Sequence, residues 1–333
     1  MSGDTTETAG ASVLKAILAY GTLACFAGLV LLFWVLLPET FLTGRNLVNI
    51  SQQLSMLAVT AFAMTVVMAM GDFDLSAGSM ASLAGIAAAV TFRETDSVTL
   101  GVALALATGL AGGALNGVLV SYLGILPFVA TLGTLTVFSG LAFLLAGGKT
   151  IFGGDIPASF SGFAKGGIPL WTSGEPALLL PNLTIVAAII LAIIWFLLEK
   201  RVFGRHLYAM GGSAEAARLA GIPVRRLRLA AFAIAGLGAA IAGLMYASRV
   251  ASANPTQGAS LMLDAIAAVF LGMTISRHGE PRVLNTLAGV MILGVLSNGL
   301  TQLSIDSYVR DILVGTIIIA AVTAGSVEKL RRN

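Results

Sequence analysis

Three carboxylates stand where this chain has almost no other charge. Asp72 and Asp74, in the stretch MGDFDLSAG at 70–78, are the only charged side chains between Arg45 and Arg93. Asp264 interrupts a second apolar run, LMLDAIAAVFLGM. An ionisable side chain at a helix centre costs about 2.5–3.5 kcal/mol on insertion scales, so such groups turn away from lipid and mark proton relays or solute paths. One chemistry these residues could carry is therefore proton relay through Asp72, Asp74 or Asp264 in a gradient-driven transporter. The sequence offers no basic partner inside an apolar run to accompany them. The competing reading of the pair is structural: Gly71 ends one helix, and Asp74 or Ser76 caps the next by accepting its free N–H groups. Carboxylates also suit the positive end of that helix dipole.

Other candidate chemistry falls away quickly. His206 and His278 are far apart in sequence and lie among basic residues, and the single Cys25 excludes an internal disulfide, so no metal or cofactor site is expected. Phe143–Thr150, FLLAGGKT, ends like a phosphate-binding loop. Phe143 holds the position where that loop requires its first glycine, so no ATP site of the chain's own is read there. No nucleophile with an adjacent base appears, and the expectation is a protein that is not an enzyme.

The elements that must position the aspartates are membrane helices. The 333 residues are 57% hydrophobic and 11% charged, with mean hydropathy +0.94. Soluble domains carry about 25% charged residues, so this composition cannot cover a water-facing surface. Ala16–Pro38 has no charge and is long enough to cross a hydrocarbon core of about 30 Å. It is too long for a secretory signal and ends in LLPETF rather than a small-residue cleavage site. Ten apolar segments are read, at about 13–37, 47–70, 75–92, 97–121, 127–146, 179–198, 229–247, 261–275, 283–303 and 308–324. The fold class is an all-α, polytopic membrane helix bundle.

Ten crossings put both ends on one side. With that topology thirteen of the 19 basic residues share a side, seven of them in the 199–228 loop. The positive-inside rule then places both termini and that loop in the cytoplasm. The net charge of +3 reflects this topology and not nucleic-acid binding. The expected organisation is a tail at 1–12, one membrane domain at 13–324 and a tail at 325–333. The 147–178 segment, rich in Gly, Pro and Ser and containing Trp171, is an external loop with no separate folded domain.

Leu110-Ala111-Gly112 followed by Gly117-Val118-Leu119 recurs at the same spacing as Leu287-Ala288-Gly289 followed by Gly294-Val295-Leu296. The copies run in opposite directions, the pattern of an inverted repeat. Chance recurrence in a Leu-, Ala- and Gly-rich chain is the competing reading. The 39 glycines indicate close helix packing.

The cytoplasmic segment from Phe203 to Gly236 reads FGRHLYAMGGSAEAARLAGIPVRRLRLAAFAIAG. Ser213 can cap a short helix over Ala214–Ala220 with Glu215 in its first turn, Gly221 is a stop, and Pro223 prevents continuation. A short capped helix in a basic loop is built for docking, or else is an ordinary positive-inside loop.

Four ordered stretches carry a resemblance that favours docking: GDFDLSAGS, ALNGVLVSYLGILPFVATLGT at 114–134, the run from Gly204 to Ile222, and LDAIAAVFLGM at 263–273. Together they resemble the ribose and arabinose permeases of ATP-binding-cassette importers, over about residues 46–324. The resemblance implies a membrane subunit without ATP chemistry that pairs with a second copy or a sister permease. A separate ATPase would dock at Gly204, Arg205, Gly211, Glu215, Ala216, Ala217 and Gly221, and a periplasmic binding protein would deliver the sugar. Asp72, Asp74, Ser76, Asn116, Phe128, Asp264 and Asn298 become candidates for the path or its gating. The chain departs from the family pattern at Ser213, at Met262 and in LGMTISRHGEPR at 271–282, which leaves the sugar open; a polyol, nucleoside or signalling furanose is the alternative cargo. Asn49, Gln52, Gln53, Asn116, Asp264, Asn298 and Gln302 are the polar groups along the spans, and for each interhelical hydrogen bonding competes with solute contact.

Overall fold

A computed structural model describes residues 24–171, 178–276 and 279–330. The expected tail at 1–12, the first part of the first apolar segment, His278 and the last three residues lie outside them. Each of the ten apolar segments carries a helix. These are α1 (Ala24–Leu36), α2 (Gly44–Ala69), α3 (Ala77–Thr95), α4 (Val98–Ser121), α5 (Pro127–Ala146), α7 (Asn182–Trp195), α10 (Val224–Val250), α11 (Ala259–Ile275), α12 (Val283–Gln302) and α13 (Ser307–Leu330). Among the described residues six helical stretches are long and apolar enough to cross a membrane: α2, α4, α5, α10, α12, and α7 with the π turn Phe196–Lys200 that extends it. The last helix continues to Leu330, past the expected end of the final segment at 324.

Local chemistry sets the helix ends. Ser97 caps α4 by accepting the Leu100 N–H at 3.3 Å. Pro127 opens α5 at its first position, where its missing N–H costs nothing. Gly147 and Gly148 close α5 at φ +60° and +72°, with Gly148 N–H on Phe143 O at 2.9 Å and Gly147 N–H on Leu144 O at 3.2 Å. The Gly-Gly before Lys149-Thr150 is thus a left-handed helix stop.

The described residues divide into two compact units, Ser51–Ile266 and Met1–Ile50 with Ala267–Asn333. In the first, α10 packs on α4 and α3 through small residues. Gly109, Gly113 and Gly117 of α4 meet Gly236, Phe232 and Leu229 of α10 in antiparallel order. A Cβ built on Gly236 would lie 2.7 Å from Gly113 Cα. Lipid gives no hydrophobic force between helices, so this close backbone approach supplies the dispersion contact that holds them. In the second unit, Gly289 of α12 lies against Ala268 of α11, and Phe33 of α1 covers Gly299. Both copies of the repeated triplet therefore sit on helices whose glycine faces the preceding helix, Gly112 toward Met80 of α3 and Gly289 toward α11.

The 147–178 stretch, expected as a loop with no separate folded domain, carries regular structure. It contains β1 (Ile151–Phe152), a 3-10 turn at Gly153–Asp155, α6 (Ala158–Lys165) and β2 (Gly167–Trp171). The last of these pairs antiparallel with β3 (Leu178–Pro181), while β1 pairs antiparallel with β4 (Ser252–Ala253) after α10. Ile151, Ile156 and Phe160 are buried. The Phe160 ring lies tilted against Phe92 of α3 with centroids 4.8 Å apart, and its carbonyl accepts from the Ser248 hydroxyl of α10 at 2.6 Å. The segment is ordered because its apolar residues have helices to cover, although its Gly and Pro content reads as loop.

Candidate functional site

The site is built around the break between α2 and α3. Gly71, at φ +85°, ends α2 as its sequence position suggests: its N–H bonds Met68 O at 3.0 Å and the Asp72 N–H reaches Val67 O at 3.4 Å. These paired bonds satisfy the last carbonyls of the helix. The chain then runs without helix to Ser76, the residue before α3.

The capping expectation needs correction here. The Ser76 side chain makes no cap bond, because it is already committed elsewhere. Asp74 Oδ1 accepts both the Ser76 N–H at 2.9 Å and the Ser76 hydroxyl at 2.6 Å. The carboxylate thus closes a turn two residues on, one place ahead of the helix N–H groups it was expected to cap. Asn116 Nδ2 of α4 donates to Ser76 Oγ at 2.8 Å, and Thr134 Oγ1 of α5 donates to Asn116 Oδ1 at 2.7 Å. All four side chains are buried, Asp74 at 1% exposure and Asn116 at 0%. One hydrogen-bonded chain therefore ties the start of α3 to α4 and α5.

Asp72 does have a basic partner, Arg228, the residue immediately before the apolar run at 229–247. Arg228 Nε of α10 lies 2.7 Å from Asp72 Oδ2, an ion pair by distance whose N–H direction misses hydrogen-bond geometry. Arg228 is the third arginine near the start of α10, where the helix dipole disfavours positive charge, and Asp72 offsets that cost. The pair joins residues 156 positions apart.

The segment between α7 and α10 rests on the same break. It comprises α8 (Val202–Gly212) and α9 (Ala214–Leu219). Gly211 of α8 lies on the end of α2, where a Cβ would be 2.5 Å from Ala69 O, and Gly71 faces Gly211 in return. Gly204 is buried on the backbone of Leu198, so glycine is required there by packing within the segment. Ser213 caps α9 as expected, accepting the Ala216 N–H at 3.2 Å. Gly221, at φ +82°, is the stop: its N–H bonds Arg218 O at 3.0 Å while the Ile222 N–H bonds Ala217 O at 3.0 Å. Ala217 is buried, whereas Arg205, Glu215, Ala216, Gly221 and Leu219 are exposed, Leu219 at 78%. Arg218 grips Glu215 at 2.6 and 3.1 Å, and these hydrogen bonds and its charge hold the Glu215 carboxyl below the usual range.

Phe128 is 58% exposed in the first turn of α5, and Asp264 is buried on α11. Asn298 pairs with Asn46 through two amide–amide hydrogen bonds of 3.0 and 3.1 Å, and its Oδ1 also accepts from Gln302 Nε2 at 2.8 Å. Gln52 Nε2 donates to Ala164 O at 2.6 Å. Asn116, Asn298, Gln302 and Gln52 thus all make hydrogen bonds within the protein. Thr134 and Arg228 were missed from sequence. Thr134 lies in the same 114–134 block as Asn116, and an arginine near a helix start is the signal that could have pointed to Arg228.

The model of the branched-chain amino acid transport system / permease component family matches residues 46–322. The chain is 39% identical over 302 residues to the ribose import permease protein RbsC of Bacillus subtilis (strain 168), covering 89% of this chain and 90% of that protein. It is 37% identical over 303 residues to the L-arabinose transport system permease protein AraH of Escherichia coli (strain K12), covering 91% and 89%. The ribose import permease protein RbsC of the same strain is 36% identical over 287 residues, covering 86% and 87%. No solved structure matches.

Proposed function

Because this chain belongs to the permease-component family of branched-chain amino acid transport systems, we propose that it is the membrane subunit of an ATP-driven importer for a monosaccharide. Ribose and arabinose are the first candidates, since the relatives that match along most of their length carry those names. The observation that carries the coupling part of this reading is the seating of α8 on the break, through Gly211 on Ala69 and Arg228 beside Asp72. A separate ATPase docks on α8 and α9, where exposed Leu219, Ala216 and Glu215 offer a small apolar and polar face. Its closure moves that segment, and the break moves with it. Such coupling requires an element with two arrangements that both ends bias.

A binding protein delivers the sugar from outside, and a second copy or sister permease completes the path. The termini and the 199–228 loop face the cytoplasm, in keeping with the distribution of Lys and Arg. Residues 13–324 act as one membrane domain of ten crossings, with tails at 1–12 and 325–333. The two helices bearing the repeated triplet are related as an inverted repeat. A proton relay is the poorer reading, because Asp72 is paired with Arg228 and Asp74 accepts two bonds from Ser76.

Proteoliposomes holding the chain, its ATPase and its binding protein test the reading with labelled ribose and arabinose. Uptake should need ATP, and unlabelled polyols or nucleosides should compete poorly. Uptake on a proton gradient alone would overturn it.

A further inference from the structure

The far end of α7 does not continue as an α-helix. Its extension Phe196–Lys200 is a π turn, and Arg201 follows in extended conformation at φ −107° and ψ +156°. Residues five apart lie about 140° apart around an α-helix. A π turn bonds residue i to i+5 instead, so side chains five apart come onto one face. Two such pairs meet here. The Lys200 ammonium stands 5.2 Å from the centre of the Trp195 ring, and the Arg201 guanidinium carbon stands 4.5 Å from that of Phe196. Both are within reach of a cation–ring attraction.

The wide turn is held from its other side. Leu198 is 1% exposed, and α8 folds back on it so closely that a Cβ on Gly204 would overlap the Leu198 backbone. Glu199, the one acid in the turn, accepts from the Tyr208 hydroxyl of α8 at 3.5 Å. Lys200 and Arg201 stay exposed, and so does Phe196.

Depth decides what reaches these cations. The apolar span Asn182–Lys200 ends at them. A tryptophan at the end of a span sits at headgroup level, and basic side chains there reach out to the phosphates. Two cations side by side, each steered by a ring, suit a phosphate. The choline of a zwitterionic headgroup would bring another cation to the same place, and an anionic headgroup does not. We propose that Trp195, Phe196, Lys200 and Arg201 form a binding site for the phosphate of an anionic phospholipid. The site rests on the helical membrane fold and not on the importer reading. Because α8 packs on the same turn, the lipid abuts the segment that seats Gly211 on the break.

Trp195 itself reports occupancy. Trp34→Phe with Trp171→Phe leaves it as the single tryptophan. The purified chain is reconstituted in phosphatidylcholine vesicles carrying either dibrominated phosphatidylglycerol or dibrominated phosphatidylcholine, and quenching of Trp195 is followed against the brominated fraction. One cation at an anionic surface is worth about a fivefold preference, so the ratio of the two quenching constants should favour phosphatidylglycerol by about fivefold or more. Lys200→Gln with Arg201→Gln should bring that ratio to about one, and Lys200→Arg with Arg201→Lys should preserve it. Equal quenching by the two lipids in the single-tryptophan chain overturns the site. So does a preference that the double glutamine variant retains, which would belong to the diffuse charge of the other basic residues. Displacement of the brominated lipid from Trp195 by the purified ATPase would give these cations to protein docking and overturn it as well.

Discussion

Replacing Asp74 separates the two jobs a buried carboxylate can hold, accepting hydrogen bonds and carrying a proton. Its Oδ1 accepts the Ser76 N–H at 2.9 Å and the Ser76 hydroxyl at 2.6 Å, and Ser76 is 1% exposed. Asparagine keeps an oxygen for both bonds, so Asp74→Asn should be mild. Alanine leaves the Ser76 N–H and hydroxyl without that acceptor. Each buried group left unpaired costs about 1–3 kcal/mol, so Asp74→Ala should lose at least about 2 kcal/mol. A loss of that size is a factor of roughly 30 in the folded-to-unfolded ratio. The assay is thermal unfolding in detergent beside ATP-driven uptake in proteoliposomes. The expected order is wild type close to Asp74→Asn, with Asp74→Ala well below both in stability and uptake. An Asp74→Asn protein that keeps wild-type stability and ATPase docking but has no uptake would refute the reasoning, because charge or proton transfer would then be the essential property.

Two further outcomes follow from the packing. Gly236→Val should cost about 1–3 kcal/mol by overpacking α10 on α4; its side chain would meet the Gly113 backbone, whose N lies 2.8 Å from a Cβ built there. Melting temperature reads this out, and an unchanged value contradicts the close approach. Gly221→Ala has open space around it, but its φ of +82° should cost about 1–2 kcal/mol of backbone strain at the end of α9. Co-purification of the ATPase should weaken while membrane insertion persists; undiminished co-purification and uptake would count against docking at α9.

Signals that act over a few residues were legible in the chain. Gly71 as a stop, Ser213 as a cap, and Gly221 as a stop ahead of Pro223 are each decided by backbone chemistry within one turn. The positions of the apolar helices were legible for the same reason, since a lipid-facing or core helix writes its length into its hydropathy. Ser76 shows where local reasoning fails. It holds the N-cap position, yet Asn116, forty residues away, and the nearby Asp74 occupy its hydroxyl. Arg228 likewise reads as one more positive-inside charge until the fold brings it to Asp72. Gly204 reads as part of a docking signature, while its lack of a side chain is required by the Leu198 backbone. The ordered 151–181 segment was illegible because its stability comes from distant partners such as Phe92 and Ser248. Pairings of this kind leave no periodic trace in a single sequence.

The central claim is that the α8–α9 segment drives the break through the Asp72–Arg228 pair. Sugar molecules taken up per ATP hydrolysed, in proteoliposomes of wild type and Arg228→Gln, test it most directly. Coupling energies of contacting pairs are about 0.5–3 kcal/mol, so the ratio should fall by about tenfold in the variant while hydrolysis and docking continue. An unchanged ratio in Arg228→Gln would contradict the claim.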